Sequence, residues 1–247
     1  MSDTEMTAQL KISIVIATLN RPDSLANCLK SLEEQTVPPY EVIVVVDGEL
    51  SDAVQKTIDT FKNQGKLNIV QLNNSQWMGA PYSKNRGADS ATGDIIAFLD
   101  DDVTVVPDWA VQIGRTYEEH SDAAGAGGMI AMQEIYFPNV FYKSFVRLRE
   151  RLFRKKLGKM NFIGMPYLSL VFHAEGLLIV DFLHGGNMTF RRDVFTSHKL
   201  DAALGVRDEF DLCVRLSLLE KRKLIYNPKA IVYHHHNPVG GLALWGG

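Results

Sequence analysis

Four short, apolar-rich runs separated by helix-like stretches constrain the fold of this chain more than any other feature. They are Ile12 to Ala17, Val42 to Val46, Leu67 to Leu72 and Ile95 to Leu99. Runs of this length, rich in β-branched residues, read as strands buried on both faces. Between them, Leu25, Leu29 and Leu32 recur at helical spacing after Pro22, which suits a first helical turn, and Val54, Ile58 and Phe61 repeat the pattern. Tyr82 to Ala91 is helical in character and stops at Thr92-Gly93. Strand and helix alternating in this order predict an α/β chain, with a mostly parallel central sheet covered by helices on both faces. Such sheets bind ligands beyond the carboxyl ends of their strands, where strand order reverses.

The residues at those ends are polar. Asp100-Asp101-Asp102 close the fourth run. Three carboxylates gathered at the end of a buried strand repel one another unless a cation is present. Oxygen ligands suit Mg²⁺ or Mn²⁺, which readily share their shell with substrate phosphates. Thr18, Asn20 and Arg21 follow the first run and Asp47 closes the second. Asp47 can accept from a ribose hydroxyl or a base imide, or can be a plain turn aspartate before Gly48. Together with Asp101, these strand-end residues outline a nucleotide pocket. Neither G-x-G-x-x-G nor a Walker loop is present, which argues against a dinucleotide or P-loop mode. Lys84 and Arg86 are either diphosphate contacts or solvated helix charges.

The second half is less regular. Residues 134–178 mix aromatic residues, glycines, prolines and basic residues, and read as an insertion. Within it, 143–159 carries eight basic residues against the single acid Glu150, interleaved with Phe145, Leu148, Leu152 and Phe153. That pattern fits either a helix lying on an anionic membrane or a solvated helix packed by its apolar stripe. Beyond it, Val180 to Leu183 reads as a strand, a helix is expected from Asp208 through Leu219, and two short strands are expected at Leu224 to Tyr226 and Ile231 to Tyr233. Asp208, Glu209 and Asp211 crowd the helix start, where the helix dipole favours anions. A catalytic base needs one of them to face the crevice. His234 and His236 share a strand face, and either can complete a metal shell.

A net charge of −3 offers no general affinity for nucleic acid. Cys28 and Cys213 sit among apolar neighbours and read as buried small hydrophobes, in keeping with a reducing compartment. No run is long enough to span a membrane and the first residues are polar, so a cytoplasmic protein is expected, with peripheral contact at the inner membrane face through 143–159.

Six motifs in order resemble glycosyltransferase family 2: Ile14 to Arg21, Val45 to Gly48, Lys84 to Gly87 and Phe98 to Asp102, then Gly185 to Arg192 and Asp208 to Leu212, followed by the histidine run. The resemblance implies a single GT-A domain over 1–247. Its nucleotide-sugar half would be 10–133 and its acceptor half 134–247, with the insertion at 134–178. It further implies that Thr18 and Asp47 hold base and ribose, and that Asp100 and Asp102 form a D-x-D metal site, with Asp102 the more direct ligand. His234 or His236 would approach the metal or the diphosphate, and Gly185, Gly186 and Asn187 would lie beside donor sugar and acceptor. Lys84 stands where the family usually has Arg. The family's Glu-Asp pair is inverted, so Glu209 is the expected base and Asp208 its reserve. The implied activity is inverting, metal-dependent transfer from a nucleotide-diphosphate sugar to a saccharide or lipid-linked acceptor hydroxyl. Sugar-nucleotide synthesis by a nucleotidyltransferase, and non-catalytic sugar-nucleotide binding, are the rival readings. The first rival favours a glycine-rich loop after the first strand, which Thr18 to Pro22 lacks.

Overall fold

A computed structural model describes residues 10–132, 158–160, 174 and 176–235. The first half follows the predicted alternation: β1 (Ile12–Thr18), α1 (Pro22–Glu33), β2 (Glu41–Val46), α2 (Asp52–Gln64), β3 (Ile69–Asn73), α3 (Ala80–Ser90) and β4 (Ile95–Asp100). Local signals set the helix ends. Pro22 occupies the first turn of α1, the Ser51 side chain caps α2 by accepting from Val54 N, and Gly65 ends α2 at φ 68°. Next come β5 (Val103–Val105), α4 (Trp109–Glu119), β6 (Ala123–Met132), β7 (Leu178–Val180), β8 (Asn187–Arg191), α5 (Arg192–Ser197), a 3₁₀ turn (Ala202–Arg207), α6 (Asp208–Val214) and β9 (Lys223–His234).

One open sheet runs β3-β2-β1-β4-β8-β6-β9-β5, and β7 also pairs with β9. β3, β2, β1 and β4 are mutually parallel, whereas β8 is antiparallel to both β4 and β6. The uninterrupted apolarity of β2 now has its cause. Val42, Val44 and Val46 pack with Leu25, Leu29 and Ile58 on one face, while Ile43 and Val45 pack with Val15, Phe98 and Leu212 on the other. Gly87 lets α3 lie close on the sheet, since a Cβ there would come within 2.4 Å of Val15 Cγ1.

Two expectations change, and one strand carries no expectation at all. β6 carries little strand signal because glycine and alanine fill it, and crowding explains the glycines: a Cβ at Gly128 would meet the Ala230 carbonyl oxygen at 1.8 Å. The two short strands expected near the end are one, β9, with an irregularity where Gly128 pairs Asn227 and Ile130 pairs Val232. Pro228 falls inside that bulge, where no ladder N–H is needed. The strand expected at 180–183 ends at Val180, and the following residues turn into β8, which places Asn187 opposite Leu99 beside the end of β4. Residues 134–157, hence most of the basic segment, lie outside the described residues. Of that segment, Lys159 is seen, donating to Asp181 Oδ1 at 2.8 Å. Cys28 and Cys213 are both free and buried, as expected.

Candidate active site

β1 and β4 are neighbours, with β2 leaving on one side and β8 on the other, so strand order reverses where the aspartates sit. Asp101 turns inward and is fully buried. It accepts from Thr18 Oγ1 at 2.6 Å and from Arg21 Nε at 3.0 Å, and it also pairs with Arg21 Nη2. Burial pushes its carboxyl up, against the Arg21 guanidinium and the Thr18 hydroxyl. The Arg21 fork continues to Asp102 Oδ2 at 3.1 Å. Asp101, Thr18 and Arg21 therefore brace the turn from beneath.

The other oxygen of Asp102 is turned toward His234. Oδ1 is buried with no hydrogen-bond partner, and His234 Nε2 lies 3.4 Å away. The β5–β9 register delivers that histidine by pairing Val103 with His234, and His235 N donates to the Asp102 carbonyl. Burial opposes the charge on Asp102, but His234 and Arg21 outweigh it and hold the carboxyl below its ordinary range. Asp102 in turn holds His234 above its own. Asp100, Asp102 and His234 each offer a ligand atom, all within 4.8 Å of one another. Two carboxylates and an imidazole, with a buried carboxylate oxygen that only His234 approaches among the described residues, fit a divalent cation. His235 instead bonds Thr104 Oγ1 at 2.7 Å, and His236 lies outside the described residues.

The Gly185-Gly186 turn joins this cluster to a second one. A Cβ at Gly186 would sit 2.8 Å from Asp100 Oδ2, and one at Gly185 would sit 2.8 Å from Glu209 Oε2. The bare turn thus lies against both carboxylates, one at each glycine. Glu209 lies in the first turn of α6 beside buried Asp208, while Asp211 faces away and accepts from Arg215 Nε at 2.8 Å. Burial pushes the Glu209 carboxyl well up, Asp208 adds to this, and Lys84 opposes it. Lys84 Nζ donates to Asp100 Oδ1 at 3.0 Å and to the Gly185 carbonyl at 3.3 Å. Burial works against its charge, yet Asp100, Glu209 and Asp208 prevail and raise its proton affinity.

Asp47 and Arg86 are braces in this structure. Asp47 Oδ1 accepts from Asn74 Nδ2 and Met78 N, and Oδ2 accepts from Gly79 N, each at 2.8 Å. Arg86 donates to the Asn73 carbonyl and to Asn74 Oδ1. Buried Asn74 thus links Asp47, Ser83 and Arg86 and shapes the 74–79 loop, which exposes Trp77 beside Gly48. Sequence reading missed Asn74, and the Asn73-Asn74 pair closing a strand was the available signal. Asn20 stands in the left-handed region at φ 46° and accepts from Ser51 Oγ.

Asn187 has structural partners for its amide. Its side chain does not face the crevice but is fully buried, accepting from Trp109 Nε1 and donating to the Met129 and Ala230 carbonyls. Its amide is committed to tying β8 to β6, β9 and α4. A sequence motif cannot distinguish such a strut from a ligand contact, because both demand the same amide.

The fold is shared with sugar-transferring enzymes. A mannosyltransferase from Pyrobaculum calidifontis, solved in complex with GDP-Man and Mn²⁺, superposes with a TM-score of 0.68 at 15% identity, over 96% of this chain and 60% of that one. GalNAc-T7 with UDP, GalNAc and Mn²⁺ superposes with a TM-score of 0.69 at 15% identity, over 95% of this chain and 45% of that one. The sheet and its strand-end site define the protein as one of GT-A fold. Residues 13–198 match Glycosyl transferase family 2, and the chain belongs to that family and is a glycosyltransferase. A glucosyl-dolichyl phosphate glucuronosyltransferase of Haloferax volcanii is 32% identical over 91% of this chain and 69% of its own length. A GalNAc(5)-diNAcBac-PP-undecaprenol beta-1,3-glucosyltransferase of Campylobacter jejuni is 32% identical over 37% of this chain and 29% of its own. The chain thus spans less than two thirds of both solved structures and of the Campylobacter enzyme. Among the described residues, no helix is long and apolar enough to cross a membrane.

Proposed function

We propose that the protein is an inverting glycosyltransferase that uses a divalent cation, Mn²⁺ or Mg²⁺, and a nucleotide-diphosphate sugar, with a lipid-linked saccharide as acceptor. The observation that carries this reading is the paired arrangement across Gly185-Gly186. Asp100, Asp102 and His234 converge on one side, and Glu209, with raised proton affinity, stands on the other. When bound, the cation offsets charge on the leaving diphosphate. Asp102 and Asp100 would hold it, with Arg21 and Asp101 fixing their orientation. Glu209 takes the proton of the acceptor hydroxyl. The acceptor oxygen then bonds to the anomeric carbon as the carbon–phosphate oxygen bond breaks on the opposite face, which inverts the centre. The lipid-linked acceptor is supported by what the Haloferax and Campylobacter relatives are named for.

The test is a panel of nucleotide-diphosphate sugars with Mn²⁺, read by release of nucleoside diphosphate with and without lipid-phosphate sugar acceptors, and by the anomeric configuration of the product. Release stimulated by such an acceptor and lost with chelator supports the reading. A product that retains the donor's configuration, or activity indifferent to chelator, overturns it.

A further inference from the structure

Lys84 is bonded to one carboxylate cluster and to the glycine turn that lies against the other. It sits on α3, which the bare face of Gly87 holds against β1, and its side chain is buried. An ammonium carries three donors. One goes to Asp100 Oδ1 at 3.0 Å and another to the Gly185 carbonyl at 3.3 Å, in the very turn that lies against both Asp100 and Glu209. The charges of Glu209 and Asp208 act on it as well. Arg21 behaves differently. It takes Asp101 and the Oδ2 edge of Asp102, leaving Asp102 Oδ1 toward Asp100 and His234. On Asp102 the structural cation and the crevice use different oxygens. On Asp100 the ammonium likewise takes one oxygen, Oδ1, while Oδ2 lies beside Gly186, but its compact charge rests on a carboxylate of the Asp100–Asp102–His234 group.

Two cations cannot both rest on one carboxylate without repelling each other, and the flexible four-carbon stem of lysine makes its charge the one that yields. We infer that Lys84 is a built-in counter-ion of Asp100 that competes with the divalent cation for it, and that its ammonium shifts toward the Asp208–Glu209 pair when the cation loads. Lys84 would thereby connect donor-side loading to the acceptor-side base through one side chain, with no backbone movement. It is a positioning residue, and the inference rests on the metal-dependent reading above.

The experiment measures Mn²⁺ affinity without nucleotide for the wild-type protein, Lys84→Met, Lys84→Arg and Asp102→Ala, each checked for folding by thermal melting. Removing a competing unit charge a few ångströms from the ligands should tighten Mn²⁺ binding about tenfold in Lys84→Met. Lys84→Arg should stay within about threefold of wild type, since it keeps the charge. Sugar transfer by Lys84→Met should fall even though the cation binds more tightly, an opposition that a merely structural role does not produce. Because a buried substitution can prevent folding, the wild-type protein supplies a second readout: the Lys84 ammonium signal in ¹⁵N NMR should move on titration with Mg²⁺. Unchanged or weaker Mn²⁺ binding in folded Lys84→Met, or a stationary Lys84 signal at saturating Mg²⁺, overturns this inference alone. Wild-type protein that binds Mn²⁺ no better than Asp102→Ala overturns the metal reading and this inference with it.

Discussion

The two acidic clusters that meet the Gly185-Gly186 turn are built from the same residue types, yet Asp102 in one and Glu209 in the other are shifted in opposite directions. At Asp100-Asp101-Asp102, cations are supplied within the fold: the Arg21 fork spans two of the carboxylates, and His234 holds Asp102 below its ordinary range. At Asp208-Glu209, burial outweighs the attraction of Lys84, and Glu209 holds its proton more tightly than a solvated glutamate. A carboxylate kept ionised suits the ligand role proposed for Asp102. One whose proton affinity is raised toward neutral pH suits the acid–base role proposed for Glu209. The difference lies in burial weighed against nearby cations: burial prevails at Glu209, and at Asp101 even against Arg21, while His234 and Arg21 prevail at Asp102.

Replacing one member of each cluster should break the two sides in different ways. The largest effect is expected for Asp102→Ala, which should abolish both transfer and metal-dependent nucleotide binding while leaving the fold intact, because the residue sits at a strand end outside the two apolar clusters. Calorimetry of nucleoside diphosphate binding with Mn²⁺ and with chelator checks it. Wild-type affinity that is equal in both conditions removes the basis of the comparison. Glu209→Gln keeps the shape and removes the proton acceptor, so turnover should fall about a hundredfold or more with donor affinity nearly unchanged. If Asp208→Asn is the more damaging change, the roles within the inverted pair are exchanged.

Much of this contrast was legible in advance. The strand-ending aspartate triplet marked the first cluster, and Asp208-Glu209 at a helix start marked the second. Their electrostatic difference was not, because Lys84, Arg21 and His234 reach their partners only through the β4, α3 and β9 placements, across separations of up to 132 residues for the Asp102–His234 pair. Asn187 shows the same limit from the other side: its motif was visible, but its burial against Trp109 was not.

A smaller effect should sharpen the division between bracing and binding. Asp47→Asn and Asn74→Ala should each weaken nucleotide affinity about tenfold, the scale of one lost hydrogen bond to a charged group. If Asp47 acts by holding the 74–79 loop, the double variant should be little worse than either single one. Additive losses would instead show that Asp47 touches the nucleotide itself.

The smallest effect concerns stability and carries a definite sign. Glu209 has a folded proton affinity above its unfolded one. Its contribution to stability is therefore complete below the unfolded pKa, near that of an ordinary glutamate, and is lost as pH rises through the folded value. Glu209→Gln should then melt a few degrees higher than wild type at pH 9. The gap should close toward pH 5, where the wild-type carboxyl is protonated in the fold. The same shift places the acidic limb of the activity profile above that of a solvated carboxylate, so activity should rise through neutral pH. A Tm gap that is constant with pH counts against a raised Glu209.

The sequence by itself determined the parallel half of the sheet, the strand-end position of the aspartates and the acidic start of α6. These follow from local periodicity, turn residues and the rule that parallel strands present their carboxyl ends together. Only the tertiary structure decided which carboxylates receive a cation from the fold, which amide is a strut, and that the Gly185-Gly186 turn lies against both Asp100 and Glu209. Those outcomes depend on distances between residues far apart in the chain. Burial and Coulomb energy change steeply over a few ångströms, a scale that spacing along a sequence does not encode.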